Sequence, residues 1–282
     1  MHIVVCIKQV PDSAQIRVHP VTNTIMRQGV PAVVNPYDLF ALEEALRLKD
    51  KYGGRVTVLS MGPMQAEMAM RKALSFGADD AILISDRAFA GSDTLATSFA
   101  LAAAIKTIQK NMPVDIIFTG KQTIDGDTAQ VGPGIAKRLD YQLLTYVSKI
   151  RNVDEDKRTI EIERRAEGGV QHITTKLPVL ITMLEGTNEM RFATMENMFR
   201  AARFPLKVWN REQAGIEDPV NVGLKGSPTL VSKVFAPKPK SVPAEMIETE
   251  SGAPEDVVDT LLMKAFTRFP QVEKQVVTQG QV

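Results

Sequence analysis

The stretch that decides the fold begins with the apolar run Val114-Asp115-Ile116-Ile117-Phe118-Thr119 and continues through a polar loop into a helical pattern that ends near Leu139. The loop reads Gly120-Lys121-Gln122-Thr123-Ile124-Asp125-Gly126-Asp127-Thr128-Ala129-Gln130-Val131. A short run of branched apolar residues is typical of a buried strand. Connections from a strand to a helix usually take roughly 2–6 residues, so this loop is unusually long. The stretch predicts a strand over 114–119, a functional loop, and a helix over about 127–139.

The same alternation of strand and helix patterns fills the preceding chain. Apolar runs predict strands over residues 2–7, 55–61 and 81–84. Helices are expected from Asn35-Pro36 to Gly53-Gly54, with Asn35 as the cap, and also over 63–76 and 93–109. This alternation predicts an α/β fold with a parallel sheet that is covered on both faces. Ligands of such sheets bind at the carboxyl ends of the strands, where loops lead into helices.

Other parts of the chain depart from this alternation. Residues 15–18 and 24–27 predict a small hairpin, and residues 159–164 and 172–176 predict an antiparallel hairpin, followed by a strand over 178–183. After about residue 225 come a proline-rich linker, a helix over 254–268 and a final dozen residues that we expect to be loosely ordered. We therefore expect an α/β domain over 1–225 and a C-terminal extension over 226–282.

Composition limits the class of protein. Of the 282 residues, 44% are hydrophobic and the net charge is +1, so the basic bias of nucleic-acid binders is missing. The single cysteine, Cys6, excludes an intramolecular disulfide and fits a reducing compartment. No apolar run approaches the roughly 20 residues of a transmembrane helix, and the start of the chain does not resemble a secretory signal. These features predict a cytoplasmic protein.

The common catalytic and phosphate-binding motifs are also missing from the sequence. There is no Walker A loop, no Gly-x-Gly-x-x-Gly after a strand, and no Ser/His/Asp arrangement. The three histidines, His2, His19 and His172, are far apart and there is no second cysteine. We therefore predict no catalytic side chain and no metal site.

Three polar junctions between strands and helices remain as candidate binding elements. The first, Val34-Asn35-Pro36-Tyr37-Asp38, can be a helix cap and nothing more. The second, residues 85–98, places hydroxyls at a helix start, which suits either an anion site or a simple cap. The third is the loop 120–133, where Gly126 permits an unusual backbone angle. As junctions of consecutive parallel strands, they predict a nucleotide lying across the sheet edge.

These junctions carry a resemblance to a known family. The sequence resembles the beta subunit of electron-transfer flavoproteins over nearly its whole length. The matching stretches are Val4 to Val10, Val34 to Asp38, Ser60 to Pro63, Gly77 to Asp79, Gly120 to Asp127, Lys176 to Pro178 and Arg191 to Thr194. Their order and spacing make the match specific. The resemblance implies a Rossmann-like sheet of the adenine-nucleotide alpha hydrolase type. It also implies a heterodimer with a larger alpha subunit that carries an electron-transferring FAD.

The resemblance also implies a set of cofactor-binding residues. Ordinary beta subunits hold AMP, and the residues that match its contacts are Cys6, Asn35, Pro36, Tyr37, Asp38, Met61 and Gly120 through Val131. In electron-bifurcating members the same pocket holds the AMP half of a second FAD. Those members carry a loop like residues 85–98, with the run Asp93-Thr94-Leu95-Ala96-Thr97-Ser98 that this chain has intact. We therefore expect FAD here, with NADH as the electron donor.

The residues of the second junction support FAD over AMP. The pyrophosphate of FAD carries more charge than the single phosphate of AMP, and a second anion-binding helix start, with the hydroxyls of Thr94 and Thr97 as donors, would receive it. Asp93 has the wrong charge to face phosphate, so we expect its backbone or a capping role to matter, with Ser92 as the alternative cap. Arg87 is either placed near the flavin, where it would stabilise an anionic form, or exposed to solvent.

The resemblance names partners as well. In bifurcation, one electron from NADH goes to a low-potential acceptor such as ferredoxin or flavodoxin. The other passes through the alpha-subunit flavin to a dehydrogenase. Residues 185–192 correspond to the family's recognition loop for acyl-CoA dehydrogenases, with Met190 and Phe192 as candidate apolar anchors.

Three rival interpretations stay open. The chain could be a non-bifurcating beta subunit with structural AMP. It could be an adenylating enzyme, although Gln9 to Ser13 lacks the glycines of that phosphate loop. It could also be a small ATP-binding stress-type protein, which would form a homodimer without an alpha subunit.

Overall fold

A computed structural model describes residues 1–12, 17–18, 25–26, 31–230, 232, 245–247 and 253–279. The chain divides into two compact units, Met1–Phe235 and Ala236–Val282. The strands of the first unit are β1 His2–Cys6, β2 Gln9–Pro11, β3 Arg17–Val18, β4 Ile25–Met26, β5 Ala32–Val34, β6 Arg55–Met61, β7 Asp80–Ile84, β8 Ile116–Gly120, β9 Gln142–Asp154, β10 Thr159–Ala166, β11 Gly169–Lys176, β12 Val179–Met183 and β13 Lys207–Trp209. Its α-helices are α1 Pro36–Tyr52, α2 Glu67–Phe76, α3 Thr94–Gln109, α4 Val131–Leu139 and α5 Met195–Arg203.

A nine-stranded sheet organises the first unit, in the order β11-β10-β9-β12-β8-β1-β6-β7-β13. Every neighbouring pair from β9 to β13 in this order is parallel, whereas β10 pairs antiparallel with β9 and β11. The predicted Rossmann-like parallel sheet with an antiparallel hairpin region is confirmed. Separate two-stranded sheets pair β2 with β5 and β3 with β4. The second of these is the predicted small hairpin, whose turn lies outside the described residues.

The central strands are apolar throughout because helices cover both of their faces. Every residue of β1, β7, β8 and β12 is buried. Successive residues of β1 point to opposite faces, so Ile3 and Val5 join one core while Val4 joins the other. The first core includes residues of α1 and α2, and the second includes residues of α3 and α4. Each of these helices follows a strand in the chain, so the helix starts lie near the carboxyl ends of the strands, where the polar junctions were predicted.

One helix start and one helix cap differ from the sequence prediction. α4 was expected from about residue 127, but it begins at Val131 because Asp127 (φ 52°) and Ala129 (φ 55°) have left-handed backbones that cannot continue a helix. The unusual backbone angles of this loop thus belong to these two residues and not to Gly126. At α1, the side chain of Asn35 makes no capping hydrogen bond, so the predicted cap is wrong. Of the two residues expected to cap α3, Ser92 and Asp93, the cap is Asp93.

The second unit contains α6 Pro254–Arg268, at the predicted position, and α7 Pro270–Gln279. The prediction of a loosely ordered end is therefore wrong for residues 271–279. Pro270 at the first position of α7 has a backbone angle that suits a helix start. The proline-rich linker of residues 236–243 lies outside the described part of the chain. Among the described helices, none is long and apolar enough to cross a membrane.

Candidate functional site

The first and third junctions meet at the carboxyl end of the sheet through the side chain of Asn35. Its Nδ2 donates to the carbonyl oxygen of Gln122 at 2.9 Å, and its Oδ1 accepts from the amide of Ile124 at 3.2 Å. Asn35 is fully buried. Asn35 thus fixes the loop 120–130 against the start of α1, and its side chain makes no capping hydrogen bond to that helix.

Asp38 ties the first turn of α1 to the ends of two strands. Its Oδ2 accepts from the amide of Lys8 at 2.7 Å and its Oδ1 from the amide of Gly120 at 3.1 Å. Burial raises the pKa of Asp38 to about 7, although these hydrogen bonds act in the opposite direction. Burial, with a contribution from Asp38, also raises the pKa of Cys6 to about 12, so this thiol stays neutral and unreactive at neutral pH.

Gly120 allows the close approach on which this arrangement depends. A Cβ atom there would lie 2.5 Å from Oδ1 of Asp38 and 2.6 Å from the carbonyl carbon of Tyr37. The Nζ of Lys121 lies 5.1 Å from the centroid of the Tyr37 ring and 3.1 Å from a carboxylate oxygen of Glu185. The start of α1 and the start of the loop are thus packed directly against each other.

Ion pairs and hydrogen bonds order the rest of the loop. Lys8, which the sequence analysis missed, donates to both carboxylate oxygens of Asp125 at 2.8 Å. Burial alone would raise the pKa of Asp125, but the contacts with Lys8 outweigh it and lower that pKa. Gln122 Nε2 donates to Oδ1 of Asp127 at 2.7 Å. Thr128 is exposed and is left available to a ligand.

α4 begins without a side-chain cap. Within the described chain, the amides of Val131 and Gly132 have no hydrogen-bond acceptor, and Pro133 has no N–H to offer. Free amides at a helix start attract anions, because they combine hydrogen-bond donors with the positive end of the helix dipole. A Cβ atom on Gly132 would lie 2.9 Å from Oγ1 of Thr119, so the start of α4 packs closely against the end of β8.

The second junction is not a neighbour of the third in the sheet, since β1 and β6 separate β7 from β8. The expectation of junctions on consecutive strands is wrong in this respect. The two junctions meet instead through their helices, where Oγ1 of Thr94 donates to Oε1 of Gln130 at 2.7 Å. Close packing of α3 on α4 permits this contact, because a Cβ atom on Gly134 would lie 2.6 Å from Oγ of Ser98.

All acceptor positions of Asp93 are engaged within the protein. Oδ1 accepts from the amides of Leu95 and Ala96 at 2.9 and 3.0 Å. Oδ2 accepts from the amide and the hydroxyl of Thr229 at 3.2 and 2.7 Å. Burial by itself would raise the pKa of Asp93, but these hydrogen bonds lower it. The sequence analysis missed Thr229 because 136 positions separate it from Asp93.

The remaining candidates lie around this edge without strong contacts of their own. Thr97, in the first turn of α3, is half-buried, and its hydroxyl donates to no residue in the described ranges. Arg87 follows β7 in a short 3₁₀ turn, is exposed, and forms no ion pair with a described residue. Met61 ends β6 and packs against the core shared with α3. In the described part of the chain, no three His, Cys, Asp or Glu side chains form a group that could hold a metal ion.

The segment 185–192 lies on the α1 side of the sheet. Asn188 donates to the carbonyl oxygen of Phe40 at 3.0 Å, and Arg191 forms an ion pair with Glu43 at 2.9 Å. Of the two candidate anchors, Met190 packs against the core while Phe192 is 96% exposed. Only Phe192 is therefore presented to solvent.

Comparisons with known proteins agree with this geometry. A model of the electron transfer flavoprotein domain family matches residues 22–213. A protein named FixA from Azotobacter vinelandii is 71% identical over 276 residues, which are 98% of each chain. FixA from Azorhizobium caulinodans is 61% identical over 274 residues, 97% of this chain and 96% of that protein. An electron transfer flavoprotein subunit beta from Clostridium acetobutylicum is 50% identical over 233 residues, 83% of this chain and 87% of that protein. The chain therefore belongs to the electron transfer flavoprotein family, among its FixA and beta-subunit members.

Proposed function

We propose that this chain is the nucleotide-binding beta subunit of a heterodimeric electron-transfer flavoprotein of the electron-bifurcating type, with FAD at the carboxyl end of its sheet. The observation that carries the proposal is the meeting of two helix starts, α3 and α4, through Thr94 and Gln130. A second helix start beside the first offers donors for the additional phosphate of FAD, which AMP lacks.

The residues present fit such a cofactor. Cys6, Met61 and the segment from Asn35 to Asp38 would hold the adenosine half, together with the loop from Gly120 to Gln130. The free amides of Val131 and Gly132 would receive one phosphate. The hydroxyls of Thr97 and Thr128 would serve the other, with Arg87 as a nearby positive charge. The carboxylate of Asp93 is directed to the amides of Leu95 and Ala96 and to Thr229, so it would not accept from the cofactor.

When bound, FAD would supply the redox chemistry, with NADH as the hydride donor and two different electron acceptors. The protein contributes binding, orientation and electrostatics. Neither Asp38 nor Cys6 is placed to act as a general acid or base. Asp38 is buried with both oxygens engaged, and the Cys6 thiol is held neutral.

The partners belong to the same proposal. The larger alpha subunit would carry the second flavin and would contact the C-terminal extension, residues 226–282. Ferredoxin or flavodoxin would take the low-potential electron. An acyl-CoA or related dehydrogenase would dock on the segment 185–192, where Phe192 is exposed. We propose a cytoplasmic location for the complex.

A second candidate function is a non-bifurcating beta subunit that holds AMP as a structural ligand. One observation favours it. The hydroxyl of Thr94 already donates to Gln130, and the amides of Leu95 and Ala96 are bound by Asp93. These contacts leave the start of α3 with fewer free donors than the start of α4.

The nucleotide content of the co-expressed heterodimer decides between the two. We expect two FAD and no AMP per heterodimer after release of the bound nucleotides. One FAD and one AMP would overturn the bifurcating proposal. The double variant T94V/T97V should lose one FAD, whereas T107V should not. Thr107 lies near the other end of the same helix, and its hydroxyl donates to the carbonyl oxygen of Ala214.

A further inference from the structure

A buried carboxylate on α1 holds the backbone of the segment 185–192. Oε2 of Glu43 accepts from the amide of Arg191 at 3.1 Å and from its Nε at 2.9 Å, while Oε1 accepts from its Nη2 at 3.2 Å. Glu43 is only 4% exposed. A forked contact of this kind fixes both the position and the orientation of the arginine.

Further contacts on the same helix strengthen this attachment. Arg47 donates to the second oxygen of Glu43 at 2.9 Å, and Asp50 pairs with Arg191 at 2.9 Å. Asn188 donates to Oε2 of Glu44 at 3.1 Å. Burial alone would raise the pKa of Glu43, but the contacts with Arg191 and Arg47 lower it, so the carboxylate is charged at neutral pH. The segment is thus held to three turns of α1.

The residue that follows this attachment is the most exposed large apolar side chain of the described chain. Phe192 is 96% exposed, and Met195 and Phe199 after it are 64% and 58% exposed. An aromatic side chain that protrudes from a rigid support loses little entropy on binding, which is the property of a strong docking anchor. The rigidity of this support comes from Glu43 and not from the segment itself.

We propose that Glu43 is a positioning residue for partner docking, which acts by holding Arg191 and thereby presenting Phe192 to an apolar pocket on the dehydrogenase. The inference rests on the proposed docking of a dehydrogenase at this segment. The same helix begins at the nucleotide site, and Glu43 follows Asp38 by five residues, or about 7.5 Å along the axis. One rigid helix therefore supports both the cofactor loop and the docking segment.

The test uses the purified heterodimer as electron acceptor for an acyl-CoA dehydrogenase loaded with its acyl-CoA, with flavin reduction followed by absorbance. We expect F192A to raise the KM for the dehydrogenase by roughly tenfold or more, the size of effect expected when a docking anchor is removed. E43Q should raise the KM by about fivefold and leave kcat unchanged. The double variant E43Q/F192A should be no worse than F192A, because Glu43 acts through Phe192.

The matched control is D80N. Asp80 is also a buried acid that joins two cations from different elements, Arg55 at 3.1 Å and Lys207 at 2.5 Å, but it lies at the other end of the sheet. D80N should lose stability as E43Q does and keep the wild-type KM.

Additive effects of E43Q and F192A, or an equal KM change in D80N, would overturn the inference while leaving dehydrogenase docking intact. If F192A has no effect, or if the wild type accepts no electrons, the proposed docking fails and the inference fails with it.

Discussion

The hydroxyl of Thr94 donates to Oε1 of Gln130 at 2.7 Å, which joins the starts of α3 and α4 although their strands are not neighbours in the sheet. Helix starts carry the positive ends of helix dipoles, so two of them side by side favour an anion between them. The contact holds the two candidate phosphate-binding groups at a fixed separation.

Removal of this contact should weaken cofactor binding more than it weakens the fold. We expect Q130A to raise the dissociation constant of the nucleotide by roughly three- to tenfold, the effect of one lost hydrogen bond. The change in unfolding free energy should stay below about 1 kcal/mol, since the contact is exposed. Flavin fluorescence on titration of the stripped heterodimer gives the binding constant, and T107V serves as control. Equal binding by Q130A and wild type would show that the two helix starts act independently.

The burial of Asp38 should make stability depend on pH. Its pKa is raised from the ordinary 3.8 to about 7, so the folded protein binds a proton that the unfolded chain releases between these values. The contribution of this group is therefore fully present below about pH 4 and declines until about pH 7. Urea unfolding at pH 5 and pH 8 should show a loss of stability with rising pH that is smaller in D38N. An identical pH dependence in D38N would contradict the assignment to Asp38.

The sequence predicted the buried parallel strands of the sheet but not β9, whose 13 residues show no regular alternation of buried and exposed positions. Buried parallel strands are continuously apolar, and β6 and α6 begin and end where their patterns do. The three residues of β13 are too few to form a pattern, so that edge strand was not predicted. The order of strands was also not predicted, since chain order does not determine which strands become neighbours.

The site was predicted as a set of segments and not as a set of contacts. The resemblance placed Asn35 and Thr94 at the site, but the partners of these side chains are separated from them by dozens of residues. Sequence patterns report local periodicity and cannot show such contacts. One signal was available for Glu43, because it lies four residues after Leu39 and three before Leu46, within the apolar face of α1. A charged residue at such a position has a buried partner.

The absence of a side chain at Gly120 should be required for folding. In G120A the new methyl group would lie 2.5 Å from Oδ1 of Asp38. It would also lie 2.6 Å from the carbonyl carbon and 2.7 Å from the Cβ atom of Tyr37, and these two atoms cannot move without shifting α1. We expect a loss of about 3 kcal/mol or more in the free energy of unfolding, as for severe overpacking. The control is G126A, where the nearest atom is Oγ1 of Thr123 at 3.4 Å. Chemical denaturation of both variants measures this loss. Equal stability of G120A and G126A would contradict the prediction.

One carboxylate oxygen of Asp93 caps α3 and the other binds Thr229. The substitution D93A should therefore lower the free energy of unfolding by more than the loss of a cap alone. A lost cap costs about 1 kcal/mol, and the released hydroxyl and amide of Thr229 should bring the total to about 2 kcal/mol.

Because the pKa of Asp93 is lowered in the folded protein, this contribution is present above about pH 4 and is lost as the pH falls through the lowered value. T229V should reproduce only part of the loss, since the amide of residue 229 and the cap remain. Unfolding curves at pH 7 and at pH 3.5 give both quantities. A loss in D93A no larger than that in T229V would mean that the cap contributes nothing, and a loss independent of pH would mean that the charge of Asp93 is not involved.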